Sequence, residues 1–231
     1  MLERFGFIFL GENLNGELVY CRSKLHVDFQ DPFKAFPYIS KNTIPISYII
    51  IDDYYHDKIF AYSELQGVHN NPIFSSVNNG LSKIYVGQSP QCNHKIGQPV
   101  LIYRKFTGEG VKRYKSCVTS YAIITNIIKV KQNGTFLMSY DELKSNIGNK
   151  SVFDEAELRQ KYENNYNMIV EELLYYGYFG AGNNVNMDWL NNNGFWGVEL
   201  GSYPTEYQLS IDDFKCILKK GKINESNVIV D

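Results

Sequence analysis

The sequence predicts an α+β protein: a small mixed, mostly antiparallel β-barrel with short helices at its periphery. Three observations carry this. PVLIYRK and CVTSYAIITNIIKVK are apolar and β-branched enough for central strands, and the second is long enough to be strongly bent or divided at a bulge. The helical stretches are short and scattered, without the series of long crossovers that a parallel sheet requires. With 231 residues, 44% hydrophobic and 15% aromatic, the chain can fill one sizeable core or two unequal ones, and closing a sheet removes its exposed edges.

In chain order, GFIFLG and GELVYCRSK read as two strands joined by the turn residues ENLNG, a terminal hairpin over residues 1–27. A lone hairpin is marginal in water, so this one must pack on something else. Residues 28–43 then form a linker or strap, because DFQDPFKAFPYISKNTIP has three prolines and no period; Phe29, Phe33 and Phe36 are its candidate anchors. The main domain is expected over residues 44–231. It opens with the strand ISYIIIDD, and a helix is predicted over residues 72–85, where Pro72 suits a first turn although Gly80 weakens the middle. A charged, glycine-bearing turn at residues 106–114 joins the two central strands.

Capping boxes at Ser139 with Glu142 and at Asp154 with Glu157 start two short helices. MIVEELLYYGYF reads as a strand and VNMDWLNNNG as one or two helical turns stopped by Gly194. SIDDFKCILKKG is a capped helix with Phe214, Ile217 and Leu218 on one face and Gly221 as its stop.

Charge and composition narrow the function. A formal charge of −2, from 23 basic and 25 acidic residues, gives no global field toward nucleic acid or an anionic membrane, so any such preference must come from local clustering. Cys21, Cys92, Cys117 and Cys216 form no close pair, and His26, His56, His69 and His94 are scattered. No metal and no cofactor are therefore expected. No apolar run approaches the roughly 20 residues of a membrane span, and the reading is a soluble cytoplasmic protein. Catalytic patterns are equally thin: the side chains of Asp52–Asp53 and Asp212–Asp213 diverge, no serine sits in a nucleophile elbow, and no cysteine is matched to a nearby histidine. No catalytic residue is assigned.

The order of these motifs resembles the PUA-like superfamily of β-barrel domains, particularly the EVE and ASCH-related types found attached to bacterial GNAT acetyltransferases. The resemblance spans residues 44–223: an Asn-Pro helix ending in LSKIYV, a glycine and PVLIYRK, then SCVTSYAIITNI, then two short helices around KSVFDEAEL. In that family a strand ending in tyrosine and arginine precedes a threonine-bearing strand, positions held here by Tyr103, Arg104 and Thr119. Since the superfamily includes readers of modified bases in DNA and RNA, the resemblance implies a pocket for a base or nucleotide. The stretch LERFGFIFLGENLNGELVYCRSKL also looks like the closing hairpin of a GNAT domain, which implies an acetyltransferase domain as a partner; as an accessory element, the hairpin and strap would instead form an oligomer interface with a second copy of the chain. The glycine-rich pyrophosphate loop of that family is absent from this sequence.

The residues themselves offer a candidate site. Between Lys95 and Lys115 lie Lys95, Lys105, Lys112, Lys115, Arg104 and Arg113 against Glu109 alone, an excess that could position phosphates or simply form a solvated hairpin. Lys105, Lys112, Arg113 and Lys115 are the candidate phosphate contacts. Arg104 should emerge at the end of the row that contains Ile102, where its fork could hold a phosphate or a guanine edge, or instead pair with Asp52, Asp53 or another carboxylate. Thr119 and Ser120 offer hydroxyls on opposite strand faces. Tyr54, Tyr55, His56, Trp189 and Trp196 are candidate aromatic partners, with Trp196 between two glycines suited to a cavity wall. His56 beside Asp57 could titrate near neutrality, and Lys83 at the end of the predicted helix could contact a ligand or merely complement the helix dipole. The leading expectation is a noncatalytic reader of a nucleotide, modified base or nucleic acid; the alternatives are an accessory or oligomerisation domain and a small-molecule enzyme.

Overall fold

The computed structural model describes residues 1–43, 45–61, 80–90, 92–199, 202–204 and 207–230. Two strands, β1 (Ile8–Glu12) and β2 (Leu18–Cys21), form an antiparallel hairpin of their own, as the ENLNG turn predicts. The strap that follows holds one helical turn, α1 (Pro32–Ala35), capped by the Asp31 side chain, and the short strand β3 (Ile39–Ser40). The body then runs β4 (Ser47–Asp52), α2 (Asp53–Ile59), β5 (Ser82–Gly87), β6 (Pro99–Lys105), α3 (Lys112–Lys115), β7 (Cys117–Gln132) and β8 (Thr135–Phe136). It continues with α4 (Tyr140–Ile147), α5 (Glu155–Asn164), β9 (Met168–Tyr178), β10 (Val185–Asn186), α6 (Met187–Asn192), α7 (Ile211–Lys220) and β11 (Ile229–Val230).

The main sheet has the order β4-β6-β7-β9-β5, with β8 and β10 attached to β7. Its β4–β6 ladder is parallel and its other ladders are antiparallel, so the sheet is mixed and mostly antiparallel. β7 slips register against β9 at Tyr121/Ala122, Ile124/Asn126 and Lys129/Lys131, and each irregularity adds bend and twist. The sheet therefore curls into a half-barrel. Among the described residues no ladder joins the outer strands β4 and β5; the Tyr85 hydroxyl reaches across to the Ile50 carbonyl at 3.4 Å.

Both faces of the sheet are covered, which explains why its strands read as nearly continuous apolar runs. Along β6, Leu101 and Tyr103 join one cluster with Trp196 and the apolar face of α7, namely Phe214, Ile217 and Leu218. Val100 and Ile102 point the other way, into a cluster of Ile49, Ile51, Ala122, Ile124 and Leu173 closed by Ile59 and Phe60. A third cluster packs α4 and α5 on the far ends of β7 and β9 through Leu143, Ile147 and Leu158. The strap is tied in at Ile39, whose amide donates to the Val228 carbonyl beside the parallel β3–β11 pair. Phe33 and Phe36 pack on the first cluster.

The Ser139/Glu142 and Ser210/Asp213 capping boxes are formed, and Asp154 accepts from the Glu157 amide. The helix predicted over residues 72–85 is corrected in its second half: Ser82–Gly87 is a strand on β9, and residues 72–79 lie outside the described residues. Pairing on β9 sends Ile84 and Tyr85 to opposite faces, where each meets a different apolar cluster.

Replacing the fully buried Ile102 by alanine is expected to cost about 2–5 kcal/mol, and losing the Ser210 cap through Ser210→Ala about 1 kcal/mol, both read from urea unfolding midpoints.

Candidate nucleic-acid interface

Arg104, one residue before the end of β6, lies on the face that carries Ile102, and there it meets α2. Its Nε and Nη2 donate to Asp57 Oδ1 and Oδ2, each at 2.8 Å, while Asp53 Oδ2 lies 3.8 Å away. Asp57 Oδ1 also sits 2.8 Å from His56 Nδ1, and His56 Nε2 lies 2.8 Å from Thr119 Oγ1 on β7. The carboxylate takes the proton-bearing Nδ1, so Nε2 accepts from the Thr119 hydroxyl. Ser120 Oγ extends the chain at 3.3 Å from Thr119 Oγ1. Burial pulls the His56 pKa below its ordinary value, against the pull of Asp57. Burial pushes the Asp57 carboxyl up, but bonds from Arg104 and His56 outweigh it and hold the group well below the usual carboxylate range.

Carboxylate, imidazole and hydroxyl in that order match the roles of a nucleophilic triad. His56 and Thr119 are both fully buried, however, so no substrate reaches the hydroxyl. Arg104 thus takes the ion-pair alternative, with Asp57 as the carboxylate.

The expected aromatic wall is also packed away. Trp196 and Tyr103 are fully buried with ring centroids 4.8 Å apart, and the Trp196 indole N–H donates to the Ser202 carbonyl at 3.2 Å. Tyr55 packs on Phe153 with Lys161 Nζ 4.2 Å above its ring. Lys83 lies buried on β5, where burial lowers its pKa to about 8. Of four cavities formed by described residues, none is lined by Arg104, Thr119, Tyr103 or Trp196.

The basic segment behaves differently. Lys105 is held by Asp52 at 2.9 Å, but Lys112, Arg113 and Lys115 all stand exposed on α3, with the equally exposed Tyr114 among them. Arg113 Nη2 donates to the Tyr114 hydroxyl at 2.7 Å, and Lys115 Nζ donates to the Glu109 carbonyl at 3.2 Å. β10 pairs with the start of β7, Val185 with Val118 and Asn186 with Cys117, and the Met187 amide donates to the Ser116 carbonyl at 3.0 Å. This brings α6 alongside α3, and Arg113 Nε approaches Asp188 Oδ1 at 3.5 Å. Asp188 in turn lines a groove of about 520 Å³ with Trp189, Lys220, Lys222 and the asparagines 183, 184, 186, 192 and 193.

A second constellation escaped the sequence reading. Cys92 and His94, two residues apart in the loop before β6, meet Glu171 of β9 in a cavity of about 420 Å³ near the β4 and β5 edges. The Cys92 thiol donates to Glu171 Oε1 at 3.1 Å, and His94 Nδ1 lies 2.8 Å from the same oxygen. Burial, then the Glu171 charge, pushes the thiol up to about 12. The expectation that no cysteine has a nearby histidine is therefore corrected; Cys-x-His was the available signal, while Glu171 is supplied by the fold.

No family model matches the chain, and no curated protein does. Among solved structures it is similar to a serine-to-alanine mutant of the ZmASCH protein from Zymomonas mobilis, with a TM-score of 0.45, 13% identity and coverage of 76% of this chain and 98% of that one. Overlap this loose at this identity establishes neither family nor ligand. Among the described residues, no helix is long and apolar enough to cross a membrane.

The buried chain sets an acid response. His56 binds its proton less readily folded than unfolded, so its contribution is intact above its ordinary pKa of 6.5 and declines as pH falls below it. Asp57 adds a loss below its ordinary value of 3.8. Unfolding free energy should fall between about pH 7 and pH 5, and His56→Gln should flatten that slope while lowering stability at about pH 8. Asp57→Ala, which removes the bidentate partner of buried Arg104 and leaves it only the more distant Asp53, should cost up to about 3–5 kcal/mol in the same assay.

Proposed function

We propose that this protein binds a nucleic-acid strand or nucleotide, without turning it over, where α3 adjoins the groove beside α6. One observation carries the reading: three exposed cations and an exposed tyrosine on α3 run through the Arg113–Asp188 contact into a groove holding Trp189, two further lysines and five asparagines. Lys112, Arg113 and Lys115 meet phosphates, Tyr114 and Trp189 offer faces to bases, and asparagine amides lie within reach of base edges. The resemblance of PVLIYRK and SCVTSYAIITNI to PUA-like domains points to the same ligand class. On this reading Arg104, His56 and Thr119 hold the scaffold and do not touch the ligand.

In fluorescence anisotropy with short single-stranded RNA and DNA, binding is expected at about 50 mM salt, weakening as salt rises with a log–log slope of roughly −0.7 per phosphate contact. A Lys112→Glu/Lys115→Glu variant should lose at least about tenfold in affinity and flatten that slope. Absence of binding to both strands at low salt, or unchanged binding by the variant, contradicts the reading.

The terminal hairpin favours a second role. Ile8, Leu10, Leu14 and Leu18 are exposed at 62%, 65%, 107% and 58%, a cost in water that a partner surface would remove. With its resemblance to the closing hairpin of a GNAT domain, it is read as a docking element for an acetyltransferase domain or a second copy of this chain. Sedimentation and affinity capture should show self-association or a bound acetyltransferase for the wild type and neither for Ile8→Lys/Leu10→Lys/Leu18→Lys. A wild type that sediments as a monomer and captures no acetyltransferase contradicts this role.

A further inference from the structure

The cavity near the β4 and β5 edges contains a grouping that neither the nucleic-acid surface nor the core uses. Cys92, His94 and Glu171 each offer one donor atom, and these atoms lie within 4.8 Å of one another. They comprise one sulfur, one nitrogen and one oxygen. Two donors come from the same short loop and the third from β9, a strand paired on both sides. Glu171 is only 4% exposed, and among the described residues its buried Oε2 has no hydrogen-bond partner, nor has His94 Nε2. Hydrogen bonding among the three residues does not satisfy them, because the thiol and the imidazole converge on one carboxylate oxygen and leave the other bare.

An activated cysteine is a poor account of this geometry. A nucleophilic cysteine needs a neighbouring imidazole or positive charge to hold its thiolate, but here the thiol donates to a carboxylate, whose negative charge opposes ionisation, and His94 Nδ1 faces that carboxylate and not the sulfur. A cation at the point of convergence would be a shared partner for the sulfur, for His94 Nδ1 and for the Glu171 carboxylate, whose bare Oε2 it would also neutralise. We propose that Cys92, His94 and Glu171 form a binding site for a zinc-class divalent metal ion. A thiolate and an imidazole beside a carboxylate suit such an ion better than magnesium or calcium, which favour oxygen donors.

The balance is simple. The thiol releases its proton to solvent, the His94 proton resides on Nε2 so that Nδ1 can coordinate, and Glu171 exchanges two hydrogen bonds for a metal bond. Two negative ligands neutralise the double positive charge. Three protein ligands leave a fourth position for water or a ligand, and the cavity supplies the space beside Tyr85 and Gln88.

The test uses the full chain in a Cys21→Ser/Cys216→Ser background, which removes the exposed competing thiols. After chelator treatment it is titrated with Zn²⁺ and Co²⁺. The expected results are one equivalent bound, release of about one proton, and a near-ultraviolet sulfur-to-cobalt charge-transfer band. Cys92→Ser should abolish the band, and Glu171→Gln should weaken binding by more than about tenfold. Because either variant could fold poorly, iodoacetamide labelling of the chain with Cys92 intact supplies a second measure: Zn²⁺ should slow alkylation of Cys92 by about tenfold or more. Lack of stoichiometric binding, or equal Cys92 alkylation with and without zinc, overturns the proposal.

Discussion

The pairing of one long strand organises this molecule. β7 bonds to β6 and β9 along its length and also takes β10 at its start and β8 at its end. A straight strand of 16 residues could not keep all these partners on one compact body, so the register slips against β9 are structural requirements. They curl the sheet, and the curl brings β4 and β5 near each other, with no ladder joining them among the described residues. The start of β7 is equally consequential, because α3 runs directly into it and β10 delivers α6 to the same place. The proposed ligand surface is thus assembled by backbone pairing at one strand end.

The polar chain from Arg104 to Thr119 fixes α2 across β6 and β7. A buried ion pair is weak evidence for net stability, since desolvation offsets most of its attraction. Its value here lies in geometry: α2 can dock in one position that satisfies the Arg104 fork, both nitrogens of His56 and the Thr119 hydroxyl together. The residues most reminiscent of a binding motif consequently act as internal ties, and the proposed ligand contacts lie elsewhere, on the surface.

Much of the architecture was legible because local rules and tertiary demands agree. The central strands announce themselves by β-branched apolar runs, and Ser139 and Ser210 by acids three residues on. Agreement fails at Ser82–Gly87, where a short apolar run reads equally well as a helix end or as a strand, and only pairing with β9 decides. It fails also at Trp196, since flanking glycines describe a close approach of backbone without saying whether a ligand or Tyr103 and Tyr48 will occupy the space. The Cys92–His94 pair was readable, but Glu171 joins it from 77 residues beyond His94. Likewise the exposure of α3 was implied by its charges, whereas its neighbours Trp189 and Lys220 come from segments that no local pattern links to it.

Photocrosslinking a short single-stranded oligonucleotide to the intact protein, followed by mass mapping of the attached peptides, locates any bound strand on the surface. Adducts are expected at Tyr114 and Trp189 or their immediate neighbours, suppressed by unlabelled competitor. Adducts confined to the hairpin or to the face covered by α4 and α5, with none on α3 or α6, would contradict the proposed ligand surface.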